Sequence, residues 1–105
     1  MAASAEHWAS GNWMVKEGME DEFIDAWKDW LGWSSQNIPG FVSATLIRDT
    51  QNLRHFVSFS PWKDAASRDA WKASSGFAEK FAAARSLCDD FQGGDFGLTA
   101  TFSAP

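Results

Sequence analysis

Asn37-Ile38-Pro39-Gly40-Phe41-Val42-Ser43-Ala44-Thr45-Leu46-Ile47-Arg48-Asp49-Thr50-Gln51-Asn52-Leu53-Arg54-His55-Phe56-Val57-Ser58-Phe59-Ser60-Pro61-Trp62 is the stretch on which the fold turns. It opens on a break, because proline bars helical geometry from the residue before it and glycine permits a turn. Residues 41–48 and 53–60 are then rich in β-branched and aromatic side chains, so each reads as a strand. The hydrophilic link Asp49-Thr50-Gln51-Asn52 is short enough to make them an antiparallel hairpin, which Pro61 and Trp62 end.

Working upstream, Phe23, Trp27, Trp30 and Leu31 recur at i, i+4, i+7 and i+8, one face of a helix over residues 19–34. Glu20, Asp21 and Glu22 occupy its first turn, where unpaired amide groups favour carboxylates. Before it, residues 7–15 read as a strand ended by the turn Lys16-Glu17-Gly18. Downstream, residues 63–73 have helical composition and Ser74-Ser75-Gly76 interrupts. Phe77, Phe81, Ala84, Cys88 and Phe91 then predict a further helical piece, with Asp89 and Asp90 as solvated charges at its end. Gly93-Gly94 leads into a last strand, residues 96–102, kinked at Gly97. Residues 1–6 are expected to be a disordered lead and residues 103–105 a loose tail.

The order is β-α-β-β-α-β with the second helical region broken in two. Residues 1–105 form a single α+β domain of ferredoxin-like type on this reading. Trp8 and Met14 share one face of the first strand, while Trp13 and Val15 share the other. Phe56 opposes Leu53, Val57 and Phe59 on the third. Helices cover one face only, so the second apolar face calls for a cover, and a second copy of the chain is the simplest.

Composition narrows the function classes. The 105 residues include 7 Trp and 9 Phe but no Tyr, so no phenol is available as proton donor or core anchor. Fourteen acidic residues against 9 basic ones give a net charge of −5, and no Lys/Arg run offers a footprint for nucleic acid or anionic membrane. The one cysteine, Cys88, excludes an internal disulfide and every multi-cysteine metal site, and suits a reducing compartment. The first residues lack the basic and apolar segments of a signal peptide, and no apolar run nears the ~20 residues of a membrane span. A soluble cytoplasmic domain is expected.

Two constellations stand out. Trp62 and Trp71 flank the strand exit and the following helix. They either pin that helix to the sheet or form a flat wall whose indole N–H groups meet a planar substrate. Arg54 and His55 are adjacent on a strand and so face opposite sides. Histidine, whose unperturbed side chain titrates at ~6.5, suits general-base work, which makes His55 a candidate, whereas His7 lies at the frayed start of the fold. His7, His55 and the Asp89-Asp90 pair show no metal-ligand spacing, and no phosphate loop or nucleophile elbow is present.

The layout resembles the antibiotic-biosynthesis-monooxygenase-like family of dimeric α/β barrels. The likeness is carried by Val15-Lys16-Glu17-Gly18, Phe23, Trp27, Ile38-Pro39-Gly40-Phe41, Phe59-Ser60-Pro61-Trp62, Ala70-Trp71-Lys72-Ala73-Ser74 and Phe77. It extends over residues 8–102. The resemblance implies a homodimer and, for the family's cofactor-independent oxygenases, oxidation of an electron-rich aromatic such as a polyketide phenol or anthrone by O₂. In those enzymes a Trp follows the third strand and an Asn precedes it by four residues. Trp62 matches the first, and Ser58 stands at the second. The family's haem-degrading branch is matched by Trp71, but its His position falls near Phe81 and its Asn position on Gly11, with Asn12 one residue off. The catalytic candidates are Trp62 and Ser58, at the positions the resemblance points to, with His55 added for its imidazole; Trp71, which the resemblance also matches, and Phe56, Asn12 and Arg54 are the substrate-binding ones. Neither metal nor cofactor is expected. The expected cavity lies between helices and sheet, with Trp62 at its wall and Ser58 and Phe56 nearby. A non-catalytic dimeric small-molecule-binding domain is the alternative, and haem binding or degradation the third reading.

Overall fold

A computed structural model describes residues 6–105 of the protein. The order is β1 (His7–Val15), α1 (Glu20–Asn37), β2 (Thr45–Arg48), β3 (His55–Trp62), α2 (Ala65–Ala73), α3 (Ser75–Arg85) and β4 (Cys88–Gly97). The four strands form one antiparallel sheet in the order β2-β3-β1-β4, the ferredoxin-like topology expected from the sequence. The helices pack on the sheet face that carries Ala9, Trp13, Val15, Phe56 and Trp62, and the core fills the space between. Among the described residues no helix is long and apolar enough to cross a membrane.

Local chemistry explains the joints. Gly18 and Gly40 sit at φ 84° and 88°, left-handed geometry that other residues resist, and they turn the chain after β1 and after α1. Ser74 serves both halves of the broken helix. Its hydroxyl donates to Trp71 O at 2.7 Å, ending α2, and accepts from Phe77 N at 3.2 Å, starting α3. Asp64 caps α2 by accepting from Ser67 N at 2.7 Å.

Several boundaries differ from the sequence reading. The second strand begins at Thr45 rather than Phe41, since Val42 is exposed and only Phe41 returns to the sheet, as a bridge to Trp62. The third strand begins at His55 and continues through Pro61 and Trp62. Pairing with β2 stops at Phe59, so the N–H that proline lacks deprives β2 of no ladder bond. The largest correction concerns Cys88 to Phe91, which belong to β4 and not to a helix. The register shifts between Met14 and Val15, which pair with Asp90 and Cys88 and leave Asp89 as the extra residue. That bulge turns both Cys88 and Phe91 toward the core, although residues three apart on a regular strand would face opposite sides. It thereby imitates a helical period. Gly93 and Gly94 lie within β4 rather than before it, and residues 98–102 are outside the sheet, with Phe102 fully exposed. Residues 1–5 of the expected loose lead lie outside the described residues. Glu6 is tied down, its carbonyl accepting from Leu98 N at 2.8 Å.

Candidate functional site

The inner sheet face has a bulky end and a bare end. At one end Trp13 sits between Phe56 and Phe91 across β3, β1 and β4. Two residues along β1, Gly11 sits between Ser58 and Gly93, and beyond it Ala9 pairs with Ser60. Five small residues thus pave the sheet where the helices pass over it. The result is a cavity of about 170 Å³ between this floor and a roof of Trp27, Trp30, Leu31, Trp71, Phe77 and Phe81. An apolar cavity of ~150 Å³ admits benzene, so an aromatic ring has room here. Exposed Lys72 and Gly93 form part of the lining and open it to solvent.

The walls are aromatic and their polar atoms few. Trp71 stacks on Trp30 with centroids 5.4 Å apart and donates through Nε1 to Ser34 Oγ at 2.8 Å. Trp13 Nε1 donates to Ser58 Oγ at 3.0 Å, and Trp62 Nε1 donates to Ser60 Oγ at 3.2 Å. Lys72, at the rim, is paired with Asp95. Among the described residues no carboxylate or imidazole lines the cavity. Gly11 makes the floor possible in a second way, since a Cβ there would lie 2.7 Å from Trp13 Nε1 and 2.9 Å from Ser58 Oγ. Glycine is the residue that lets the indole and the hydroxyl meet.

The expected site residues are thereby divided. Ser58 and Trp71 line the cavity. Trp62, expected at its wall, is wholly buried in a second layer behind Ser60 and Trp71, the latter ring 4.8 Å away. Phe56 is also buried outside the cavity, under the Arg48 guanidinium at 5.0 Å, beside a separate hollow between α1 and β2. Arg54 is bound elsewhere, donating to Val15 O at 2.7 Å and to Asp89. Asp89, still half exposed, is thus paired on a strand rather than placed at a helix end. Asn12 and His55 lie on the opposite sheet face, where His55 Nε2 is 2.7 Å from Asn12 Oδ1 and Nδ1 is 2.9 Å from Asp49 Oδ2. The strand pleat separates them from the cavity. Cys88 is buried and burial pushes its thiol up to about 11, so it carries no thiolate near neutrality. Among the described residues no group of three His, Cys, Asp or Glu side chains could hold a metal ion.

The sequence reading passed over the roof residues other than Trp71 and, on the sheet, Ala9, Gly11, Trp13, Ser60 and Gly93. The signal on the sheet was parity: positions 9 and 11 and positions 58 and 60 are small on the face where 13 and 56 are bulky.

The opposite-face cluster makes a pH prediction. The hydrogen bond from His55, and then the N–H groups of Gln51 and Asn52, hold the Asp49 carboxyl below its ordinary 3.8. A depressed folded pKa means that the stabilisation is complete above the unfolded value and is lost as pH falls through the folded one. A carboxyl-carbon NMR titration should place the Asp49 midpoint below 3.8, and His55→Phe should move it up toward 3.8.

The sequence profile of the family described as antibiotic biosynthesis monooxygenase matches residues 7–84. No curated protein matches the chain. Among solved structures, a variant of SnoaB, a cofactor-independent oxygenase from Streptomyces nogalater, superposes with TM-score 0.87 at 24% identity, over 96% of this chain and 100% of that one. A conserved protein from Methanosarcina mazei Go1 gives TM-score 0.78 at 18% identity, over 90% and 95%. An antibiotic biosynthesis monooxygenase gives 0.72 at 17%, over 90% and 98%. At such identities the likeness speaks for the fold.

Proposed function

The chain belongs to the antibiotic biosynthesis monooxygenase family, and from that premise we propose that it is a cofactor-independent monooxygenase of electron-rich aromatic compounds such as phenols and anthrones. The observation that carries this reading is the cavity itself: an aromatic roof over a floor of small residues, with two buried serine hydroxyls whose oxygens accept indole N–H groups. The substrate ring lies against Trp71 and Phe77, and its oxygen accepts a hydrogen bond from Ser58. That bond favours the enolate or phenolate, the form that gives an electron to O₂. With an anthrone, the ring CH₂ becomes C=O, one atom of O₂ enters the product and the other leaves as water with both hydrogens. The substrate supplies all four electrons, so no external reductant enters the balance. The protein contributes orientation, exclusion of water and oxyanion stabilisation.

Trp62 enters this reading as the support of Ser60 and Trp71 rather than as a direct donor. His55, Asn12 and Arg54 carry no step, because each is engaged away from the cavity. Oxygen-electrode traces with dithranol, a simple anthrone, should show uptake above the buffer rate that scales with protein. Uptake equal to buffer at every protein concentration would remove the reading.

The other sheet face supports assembly as a homodimer. It exposes Ile47 and Phe96 beside the Trp8–Phe59 ring pair, an apolar surface that water covers poorly. A stable interface buries more than ~1,000 Å² in total. Light scattering at micromolar concentration should give twice the 11.6 kDa chain mass, and a monomer would contradict the assembly. The single buried thiol fits a reducing, cytoplasmic setting.

A further inference from the structure

Ser58 and Ser60 share an unusual bonding state. Both are at least nine-tenths buried, and both line the cavity. Each hydroxyl oxygen accepts an indole N–H, from Trp13 at 3.0 Å and from Trp62 at 3.2 Å. Neither hydroxyl donates to any protein acceptor among the described residues. A serine hydroxyl has one donor and two acceptor positions. Once an indole holds the oxygen from behind, the O–H is left to serve whatever occupies the cavity, and a donor chain of this kind strengthens its final bond.

We infer that Trp13–Ser58 and Trp62–Ser60 are two parallel indole-to-hydroxyl relays that bind a planar ring ligand through two acceptor oxygens set across the ring. Two strand residues advance ~6.8 Å, a span the two hydroxyls can close onto opposite oxygens of one ring laid along β3. Ser58 and Ser60 touch the ligand. Trp13 and Trp62 are positioning residues that fix the hydroxyl rotors. During oxidation one relay holds the oxygen already on the ring, and the other meets the oxygen delivered to the carbon across from it. The inference rests on the cavity being the substrate site, yet it assigns the donors independently of turnover.

The test uses 9,10-anthraquinone, which has two opposed carbonyl oxygens and needs no oxidation. Infrared difference spectra of the wild-type complex should show the carbonyl bands shifted to lower frequency than in an apolar solvent. Ser58→Ala and Ser60→Ala should each return one carbonyl toward the free frequency and weaken Kd by about three- to tenfold, the worth of one neutral hydrogen bond. Ser58→Cys and Ser60→Cys keep the side-chain volume close with a weaker donor, so they answer the question if an alanine variant fails to fold. Trp62→Phe leaves Ser60 in place and should still relax the band, which loss of packing alone would not do. Anthraquinone that fails to bind, or binds with carbonyl bands unmoved by the serine variants, would overturn the relays. Shifted bands without oxygen uptake from dithranol would overturn the proposed activity and leave the relays standing. Uptake with unshifted bands would do the reverse.

Discussion

Trp13→Ala should cost the domain ~3–5 kcal/mol, the usual range for emptying a buried Trp site. The thermal midpoint should drop by more than ~12 °C in a chain of this size. The indole is 1% exposed and lies within about 6 Å of four other aromatic rings: Phe91 at 4.3 Å, Phe23 at 5.1 Å, Phe81 at 5.9 Å and Trp30 at 6.1 Å. It joins β1 to α1, α3 and β4 at once. Removing it also strips Ser58 of its indole partner. Trp13→Phe should lose much less, because most ring contacts persist and only the hydrogen bond goes, ~1 kcal/mol on the general scale. Calorimetry on the two variants separates packing from bonding. Equal losses would show that the hydrogen bond, not the aromatic cluster, dominates.

Ala9→Leu should abolish function while sparing the fold. Ala9 is buried at the floor of the cavity and makes no side-chain hydrogen bond, so bulk added there grows into empty space. Overpacking a filled core costs ~1–3 kcal/mol, and with a void to accept the new atoms the cost should fall at or below the lower end. Oxidation of dithranol, in contrast, should fall at least ~100-fold, equivalent to ~2.7 kcal/mol of lost transition-state stabilisation. A variant that melts with the wild type and turns over normally would show that the chemistry happens elsewhere.

The sequence carried the topology because each element announced itself by its own period and breaker. The Pro39-Gly40 turn, the stripe from Phe23 to Leu31 and the Asp49–Asn52 link each have a local cause. The end of the second helical region was hidden by a non-local one. Cys88 and Phe91 share a side only because a bulge opposite Met14 and Val15 inserts Asp89, and pairing with a strand some 75 residues earlier is not written in the local pattern. The site was legible in part. Ser58 and Trp71 reached the cavity, the first because strand parity and the family pattern agreed on it, the second through the family pattern on helix α2. Trp62 did not, because parity gives the face of a strand but not the depth, and Trp71 and Ser60 stand in front of it. His55 and Asn12 were separated from the cavity by the same pleat that brings them to each other.

Incorporation of labelled oxygen from ¹⁸O₂ during dithranol oxidation, read by mass spectrometry of the quinone, tests the central claim most directly. With wild-type protein the new carbonyl should carry one heavy atom from O₂, formed at a rate that rises with protein concentration and collapses in Ala9→Leu. Label arriving from water instead, or a labelled product formed no faster than in buffer, would contradict an oxygenase working in this cavity.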